Sequence, residues 1–442
     1  METVTVNHFC LNFTRFLPGV CLAFFCSVFF VLLPCSAQVD VQWGGHLKTR
    51  GSVSWQDDAS VYRLAGTGEY FDASGELRLK NTLFFTDQLS LETHYEALVS
   101  GGDTRRKTAE IQNRLPRFAG IISGMNGLSD DRRFLDLTNV IDRDEAWLSY
   151  HRLDRLSLKY LPEWGAVSVG RQALTWGNGM LFNPMDLFNP FAPTDIERDY
   201  KVGDDMAVVQ IYLDNIGDLQ FLYVPRRDPA TADPAWDQTS VAAKLHVMKS
   251  NLELDIMAAK HYADYTVGLG ASGYLSSAAW RMDAVYTFLD AHPEKNGFLT
   301  CTLNMDYSWV WKEKNMYGLV ELYYNSLGED DIASALENPA IAERLARGEL
   351  FTLGRYYLAG EIQAELHPLF NIFLTGITNL ADRSVIVQPR AAWNFAQNLE
   401  VIFGAQLYAG ETGSEFGGFT IPGTDFVHKS PDSVFAWVTW YF

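Results

Sequence analysis

Apolar and polar residues alternate along most of this chain. In the first such stretch, Trp43, Leu47 and Trp55 share one parity, whereas Lys48 and Arg50 share the other. Because successive side chains of a β-strand point to opposite faces, this pattern predicts strands with one apolar and one polar face. A strand of a soluble sandwich also alternates, but seldom over so many residues.

Turn signals divide the alternation into 16–18 strands. Eighteen is the favoured count and puts both termini on the periplasmic side, whereas the segment 153–163 fits either a wide periplasmic turn or an additional strand. Tight turns are predicted at 86–88, 215–218, 249–251, 276–277, 312–314, 367–368 and 396–398. Longer polar connections are predicted at 56–72, 101–141, 174–204, 227–238, 289–297, 327–354 and 410–429, with a short helix over Pro339–Arg347 that ends at Gly348. Short and long connections that alternate are typical of a transmembrane, antiparallel up-and-down β-barrel with short periplasmic turns and long external loops.

The beginning of the chain predicts a secretory signal peptide. Arg15 precedes an apolar run over 16–33, and Cys35-Ser36-Ala37 supplies small residues before a cleavage site near Ala37. A membrane-anchor helix is a weaker interpretation, because the run is short and Pro34 breaks it. A lipoprotein signal is also weaker, because a proline directly before Cys35 is a poor fit. We therefore expect a signal peptide over 1–37 and one barrel domain over 38–442.

The other end of the chain is an alternating, aromatic-rich strand. Val438, Trp440 and Phe442 share its apolar face. This ending resembles the C-terminal signal of bacterial outer-membrane β-barrels. The resemblance implies recognition by the barrel-assembly machinery and a final location in the outer membrane, among lipid and lipopolysaccharide. No apolar stretch after Leu33 is long enough for a spanning helix, so a closed barrel is the remaining way to satisfy the backbone in a membrane.

Composition excludes several classes of function. The formal net charge of −19 disfavours binding to nucleic acid. Four of the five cysteines precede residue 36, which leaves Cys301, on the expected lipid-facing parity, and neither CxxC nor CxxCH occurs. The histidines are scattered, and GxSxG, HExxH and EF-hand spacings are missing from the sequence. We therefore expect no cofactor, no specific metal site and no enzymatic activity.

The parity opposite the lipid-facing stripe must line the barrel interior. A barrel of about sixteen strands or more is too wide for its own side chains to fill, so these residues are candidates to line a water-filled pore. Both charge signs occur among them, so they are also compatible with structural ion pairs across strands. The pore-lining candidates are Lys48, Arg50, Arg78, Lys80, Glu253, Asp255, Arg281, Asp306, Glu321 and Arg390.

The third long connection holds the densest motif in the chain. It combines Gly170-Arg171-Gln172, Trp176-Gly177-Asn178-Gly179, Asn183-Pro184 and Asn189-Pro190-Phe191. This segment resembles one in porin-like barrels of Gram-negative bacteria. In general porins the third loop folds inward as a constriction, and by that analogy acidic residues of 186–205, in the connection 174–204, would face Arg50, Arg78 or Arg390. The acidic candidates are Asp186, Asp195, Glu197 and Asp199; an external cap on the rim is the alternative.

The sequence thus favours a porin-like channel for passive diffusion of small hydrophilic solutes or ions, with a weak preference for cations. One alternative is a barrel that acts as a scaffold or sheath for a partner protein, such as a cytochrome that brings its own haem. A less favoured alternative is a hydrolase at the barrel rim that uses a Ser-His pair. The identity of the solute and the formation of a homo-oligomer stay open at this point.

Overall fold

A computed structural model of the chain describes residues 39–66, 68–114, 130–214, 216–290, 296–421 and 424–442. The predicted signal peptide, its cleavage site near Ala37 and Asn215 in one predicted turn lie outside the described residues. Parts of the predicted connections 56–72, 101–141, 289–297 and 410–429 also lie outside them.

The described residues form mostly long strands. The strands are β1 (Asp40–Trp55), β2 (Glu69–Phe84), β3 (Leu89–Gly102), β4 (Thr138–Arg143), β5 (Trp147–Tyr160), β6 (Gly165–Gln172), β7 (Asp204–Tyr212), β8 (Gly217–Val224), β9 (Ser240–Lys249), β10 (Leu252–His261), β11 (Asp264–Leu275), β12 (Ala278–Phe288), β13 (Gly297–Trp311), β14 (Lys314–Asn325), β15 (Tyr356–His367), β16 (Phe370–Asn379), β17 (Val385–Ala396), β18 (Leu399–Ala409), β19 (Phe419–Thr420), β20 (Val427–His428) and β21 (Asp432–Tyr441).

The main sheet has nineteen strands, and all of them except β4 form a closed antiparallel ring. The last barrel strand, β21, pairs with both β18 and β1, which closes the ring. The amide of Gly45 donates to the carbonyl of Phe442 at 3.0 Å, and the amide of Phe442 donates back at 3.1 Å. The predicted all-β barrel with eighteen strands is confirmed. The uncertain segment 153–163 contains the end of β5 and a turn rather than an additional strand.

The strand β4 completes the wall where β6 is short. Residues 156–160 of β5 pair with β6, whereas residues 148–152 of the same strand pair with β4. The second external connection therefore contributes a piece of barrel wall.

The outer face of the barrel is apolar and follows the predicted parity. Trp43 and Trp55 are exposed near the two ends of β1. Val438 and Trp440 on β21 are exposed, as is Phe442 directly after that strand. A closed ring with such a surface is suited to hydrocarbon, because its backbone groups bond within the sheet and its side chains replace water with lipid.

No helix in the described parts of the chain is both long enough and apolar enough to cross a bilayer.

Connections at one end of the barrel are short, and most of those at the other end are long. The end with short turns is periplasmic by the rule for outer-membrane barrels. The external connection 326–355 contains helices Ile332–Glu337 and Pro339–Arg347, and the second ends at Gly348 with φ of 70°, as predicted. Two external connections, 262–263 and 380–384, are short and were not among the predicted long ones. A third helix, Asp103–Arg114, lies in the second external connection.

Candidate functional site: the loop inside the barrel

The connection between β6 and β7, residues 173–203, is the third loop, and it packs against the inner face of the wall. Its apolar side chains Trp176, Met185 and Phe188 form a buried cluster with Met257 of β10 and Val285 of β12. These aromatic and apolar side chains are the ones that the dense motif predicted would need a dry environment. The first half of the third loop thus occupies the interior beside β7 to β12.

A carboxylate of the wall binds the backbone of this half. Glu321 of β14 accepts hydrogen bonds from the amides of Met180 at 2.7 Å, Leu181 at 3.1 Å and Phe182 at 2.6 Å. Its side chain is fully buried, and Phe182 stacks on Tyr323 with ring centroids 4.4 Å apart. Three charge-assisted bonds on one carboxylate compensate for its removal from water.

A second wall carboxylate binds the loop two residues before Met180. Asp283 of β12 accepts from the amide of Asn178 at 2.6 Å and from its side-chain amide at 2.9 Å. The carbonyl of Asn178 in turn accepts from Asn304 at 3.1 Å. Inward carboxylates on β12 and β14 therefore fasten the loop main chain to the wall.

A buried ion pair joins the two halves of the third loop. Lys201 contacts the carboxylate of Asp186, and it also donates to the carbonyl of Leu174. Burial raises the pKa of Asp186 to about 6 against the attraction of Lys201, and the same burial lowers the pKa of Lys201. Asp186 thus bonds inside the loop.

The second half of the third loop bonds to a different part of the wall. Gln388 of β17 donates to the carbonyl of Thr194 at 3.0 Å. Lys48 of β1 lies 3.2 Å from the carboxylate of Asp199 and also donates to the carbonyl of Glu197, while Arg50 pairs with the carboxylate of Glu197. These contacts are ion pairs and polar bonds to long basic side chains rather than apolar packing.

A tyrosine extends this half to β2. The hydroxyl of Tyr200 accepts from Lys80, whose ammonium lies 3.9 Å from the ring centroid, and Arg78 lies 4.6 Å from the same centroid. The ring of His46 on β1 stacks with the Tyr200 ring, with centroids 5.8 Å apart. The tyrosine therefore sits in a ring of cationic and aromatic side chains.

The two sets of contacts lie far apart around the ring. β14 is eight strands from β6, nearly opposite in a ring of eighteen, whereas β1, β2 and β17 lie on the remaining arc. A loop that begins at β6, bonds to β14 and then returns past β17, β1 and β2 spans the interior of the barrel.

The other sequence candidates bond mainly to neighbouring wall residues. Asp255 contacts Lys244 at 3.2 Å and His246 at 3.1 Å. Arg281 pairs with Asp306, Arg390 with Glu361 at 3.1 Å, and Arg78 with Glu96 at 3.0 Å and with Asp154. Glu253 is exposed near the periplasmic end, and Asp195 accepts from the amides of Glu197 and Arg198 at 3.1 Å. Of the basic residues expected to face the acidic loop, Arg50 does so, whereas Arg78 and Arg390 bond to wall carboxylates.

Sequence reasoning missed a buried charge cluster on β5. Arg152, Asp154 and Arg155 are all buried, and Arg155 pairs with Asp154. The register between β3 and β5 shifts between His94 and Tyr95, which leaves Asp154 as the extra residue of a bulge. Strict alternation fails across a bulge, so parity counting could not place these three side chains on one face.

Within the described ranges, no group of three or more His, Cys, Asp or Glu side chains is arranged to hold a metal ion.

Comparisons with known proteins agree with this fold. No protein-family model matches the chain, and no curated protein matches its sequence. Among solved structures, OccAB2 of Acinetobacter baumannii is similar with a TM-score of 0.52 and 9% identity, over 91% of this chain and 98% of that chain. OccAB3 of the same organism is similar with a TM-score of 0.52 and 10% identity, over 91% and 99%. At such low identity the likeness concerns the barrel fold alone.

Proposed function

We propose that this protein is an outer-membrane channel for passive diffusion of small hydrophilic solutes or ions, with the third loop as its constriction. The observation that carries the proposal is the path of that loop. It bonds to Glu321 on one side of the ring and to Lys48 and Arg50 on another, so a solute that crosses the barrel must pass beside it. Channel selectivity then depends on the width and charge left around the loop.

The proposed pore lining has acid–base pairs on two arcs. Lys48 and Arg50 belong to β1 and face the loop, whereas Glu361 of β15 pairs with Arg390 and Asp306 of β13 pairs with Arg281. Glu197 and Asp199 of the loop are partly neutralised by Lys48 and Arg50. Since acids and bases are paired, the expected selectivity is a weak preference for cations rather than a strong one.

Planar bilayers test the proposal directly. The purified barrel is expected to give discrete conductance steps, and a tenfold salt gradient is expected to give a small reversal potential of the sign for cations. Bilayers without any steps would reject an open channel, and a reversal potential of the anion sign would reject the charge assignment. An empty-vector preparation purified in the same way is the control.

The membrane location and assembly route are part of the same proposal. The outward exposure of Val438, Trp440 and Phe442 supports a role for these residues in recognition by the barrel-assembly machinery, with lipid and lipopolysaccharide around the finished barrel. Replacement of Phe442 by Ala is expected to lower the amount of folded barrel in the outer membrane, with Phe395→Ala, an exposed aromatic on β17, as control.

A serine, a histidine and a glutamate near the external end of the barrel resemble the arrangement that a rim hydrolase would need. The hydroxyl of Ser240 lies 2.9 Å from Nδ1 of His261, and Nε2 of His261 lies 3.1 Å from Glu349. Ser240 is fully buried, however, and its hydroxyl accepts from Arg226 at 2.7 Å, which opposes its use as a nucleophile. We infer that this group joins the external ends of β8, β9 and β10 to the connection 326–355 and catalyses nothing.

A further inference from the structure

The outer face of the barrel has an apolar depression. It extends across β14 to β18 and reaches β21, with a volume of about 900 Å³. Its floor is made of small outward-facing residues, namely Ala364, Pro389, Ala391 and Ala405, and we call this depression the outer groove.

Large side chains form the sides of the outer groove. Phe403 and Leu374 are exposed beside the floor, whereas Ala391 on the same face is buried between its cross-strand neighbours Ile372 and Phe403. The depression therefore results from a contrast of side-chain size on one continuous lipid-facing surface.

A break in the hydrogen-bond ladder lies under the groove. The pairing of β17 with β18 runs to Val387 opposite Leu407 and resumes at Arg390 opposite Gly404, so Pro389 has no partner across this seam. Proline cannot donate to a ladder, which is why it is rare in the interior of a sheet. This break in the pairing of β17 with β18 is a second feature that distinguishes the outer groove from the rest of the barrel surface.

The length of the groove along the membrane normal matches the thickness of one leaflet of a bilayer. One end lies at Lys314 and Trp311, beside the periplasmic turn, and the other reaches Ala405 and Val434. Ala405 is the seventh residue of β18, which starts at the periplasmic end. Six steps of about 3.4 Å on a strand tilted by about 45° rise roughly 15 Å, half of a hydrocarbon core of about 30 Å.

The periplasmic end of the groove carries the chemistry of a headgroup site. Lys314 uses one of its three donors on the carbonyl of Leu366 at 2.6 Å, and the neighbouring Lys312 lies 4.8 Å from the ring centroid of Trp311. Glu313 separates the two lysines, so the turn keeps one net positive charge. None of the described residues that line the groove is acidic. Lysine and tryptophan at the membrane interface suit the phosphate and glycerol region of a lipid.

From these observations we infer that the outer groove is a binding site for one anionic phospholipid of the periplasmic leaflet. The acyl chains lie on Ala364, Ala391 and Ala405, and the phosphate meets Lys314. This site is independent of any transport through the lumen, because the side chains of Ala364, Ala391 and Ala405 lie on the lipid-facing parity of their strands.

Native mass spectrometry of the full-length barrel tests the inference. The protein is released gently from micelles that contain equal amounts of phosphatidylglycerol and phosphatidylcholine. The wild type is expected to retain one phosphatidylglycerol with about fivefold preference over phosphatidylcholine, the contribution of one lysine near a phosphate.

Two variants and two matched controls complete the test. Ala405→Trp fills the groove and is expected to lower retention of either lipid about tenfold, whereas Ala258→Trp, on an exposed outward position of β10, is expected to change nothing. Lys314→Gln is expected to remove the preference for phosphatidylglycerol while retention of phosphatidylcholine persists, and Lys249→Gln at the end of β9 is its control. Heat-modifiable migration on gels verifies that each variant is folded.

Three results would overturn the inference. The first is equal lipid retention in Ala405→Trp and the wild type, and the second is equal loss in Ala405→Trp and Ala258→Trp. The third is a wild-type oligomer in sedimentation that Ala405→Trp dissociates, because the groove would then be covered by a second copy of the chain.

Discussion

The two halves of the third loop are held to the barrel by different physical forces. The first half buries Trp176, Met185 and Phe188 and gives its amides to two wall carboxylates. The second half has few buried apolar side chains and depends on Lys48, Arg50 and their ion pairs. Apolar burial and bonds to buried carboxylates resist salt, whereas partly exposed ion pairs are screened by it. The first half is therefore a fixed anchor, whereas the contacts of the second half respond to ionic conditions.

The largest expected effect comes from removing the anchor on β14. Glu321→Ala leaves three amides of the loop without their acceptor, each at a cost of about 1–3 kcal/mol. Residues 180–182 should then leave the wall, and we expect single-channel conductance in planar bilayers to rise about twofold or more.

Glu313→Ala, in the exposed turn before β14, is the matched control for that variant and should conduct like the wild type. Unchanged conductance in a folded Glu321→Ala barrel would contradict the anchor role.

A smaller effect is expected in the second half. The double variant Lys48→Gln and Arg50→Gln removes two cations beside Glu197 and Asp199, so the reversal potential in a salt gradient should move toward stronger cation preference. The shift should be clear at 0.1 M salt and nearly absent at 1 M, because the screening length falls from about 10 Å to about 3 Å. A shift of equal size at both salt concentrations would contradict the contrast between the halves.

A buried group of charged residues around Glu349, outside the third loop, should make the stability of the fold depend on pH. Burial alone would raise the pKa of Glu349, but His261, Arg347 and Arg344 hold it at about 2, well below its ordinary value of 4.5. A depressed pKa means that the ionised form stabilises the fold above pH 4.5 and that this contribution is lost as the pH falls toward 2.

Urea unfolding in micelles measures this effect. Between pH 6 and pH 3 we expect the free energy of unfolding to fall by about 1–3 kcal/mol through this group. Glu349→Gln should be less stable than the wild type at pH 6 and should lose less stability on acidification. Parallel pH curves for the two proteins would contradict the assignment.

The smallest effect is expected for the buried serine. Ser240→Ala removes bonds to Arg226 and His261 and should cost about 1 kcal/mol of stability. Neither protein should hydrolyse short-chain nitrophenyl esters or phospholipids. Hydrolysis by the wild type that disappears in the variant would revive the rim hydrolase.

The alternation along the chain predicts the barrel well, because lipid outside and a polar interior impose period two on every spanning strand. Residues such as Trp43 and Trp440 therefore have the expected orientation. The roles of inward residues are harder to predict. Parity correctly puts Glu321 on the inner face, but backbone amides leave no sequence signal, so its binding of residues 180–182 could not be foreseen.

Two other features of the interior, a β-bulge and an ion pair within the third loop, cannot be predicted from the alternation of apolar and polar residues. The bulge at Asp154 changes the parity of one strand in its middle and brings Arg152 and Arg155 to the same face. Asp186 looked equivalent to Asp199, yet it is buried against Lys201 of its own loop. Only the folded path of the third loop separates these two aspartates.

The central claim is that the second half of the third loop lies beside the route of the solute. In a Cys301→Ala background, Asp199→Cys can be coupled to a bulky charged thiol reagent while one channel conducts in a bilayer, and Asp330→Cys in an external loop serves as the control. We expect a stepwise fall in conductance on modification of residue 199 and no change on modification of residue 330. Unchanged conductance after proven coupling of the reagent to residue 199 would show that the second half of the third loop does not lie beside the route of the solute.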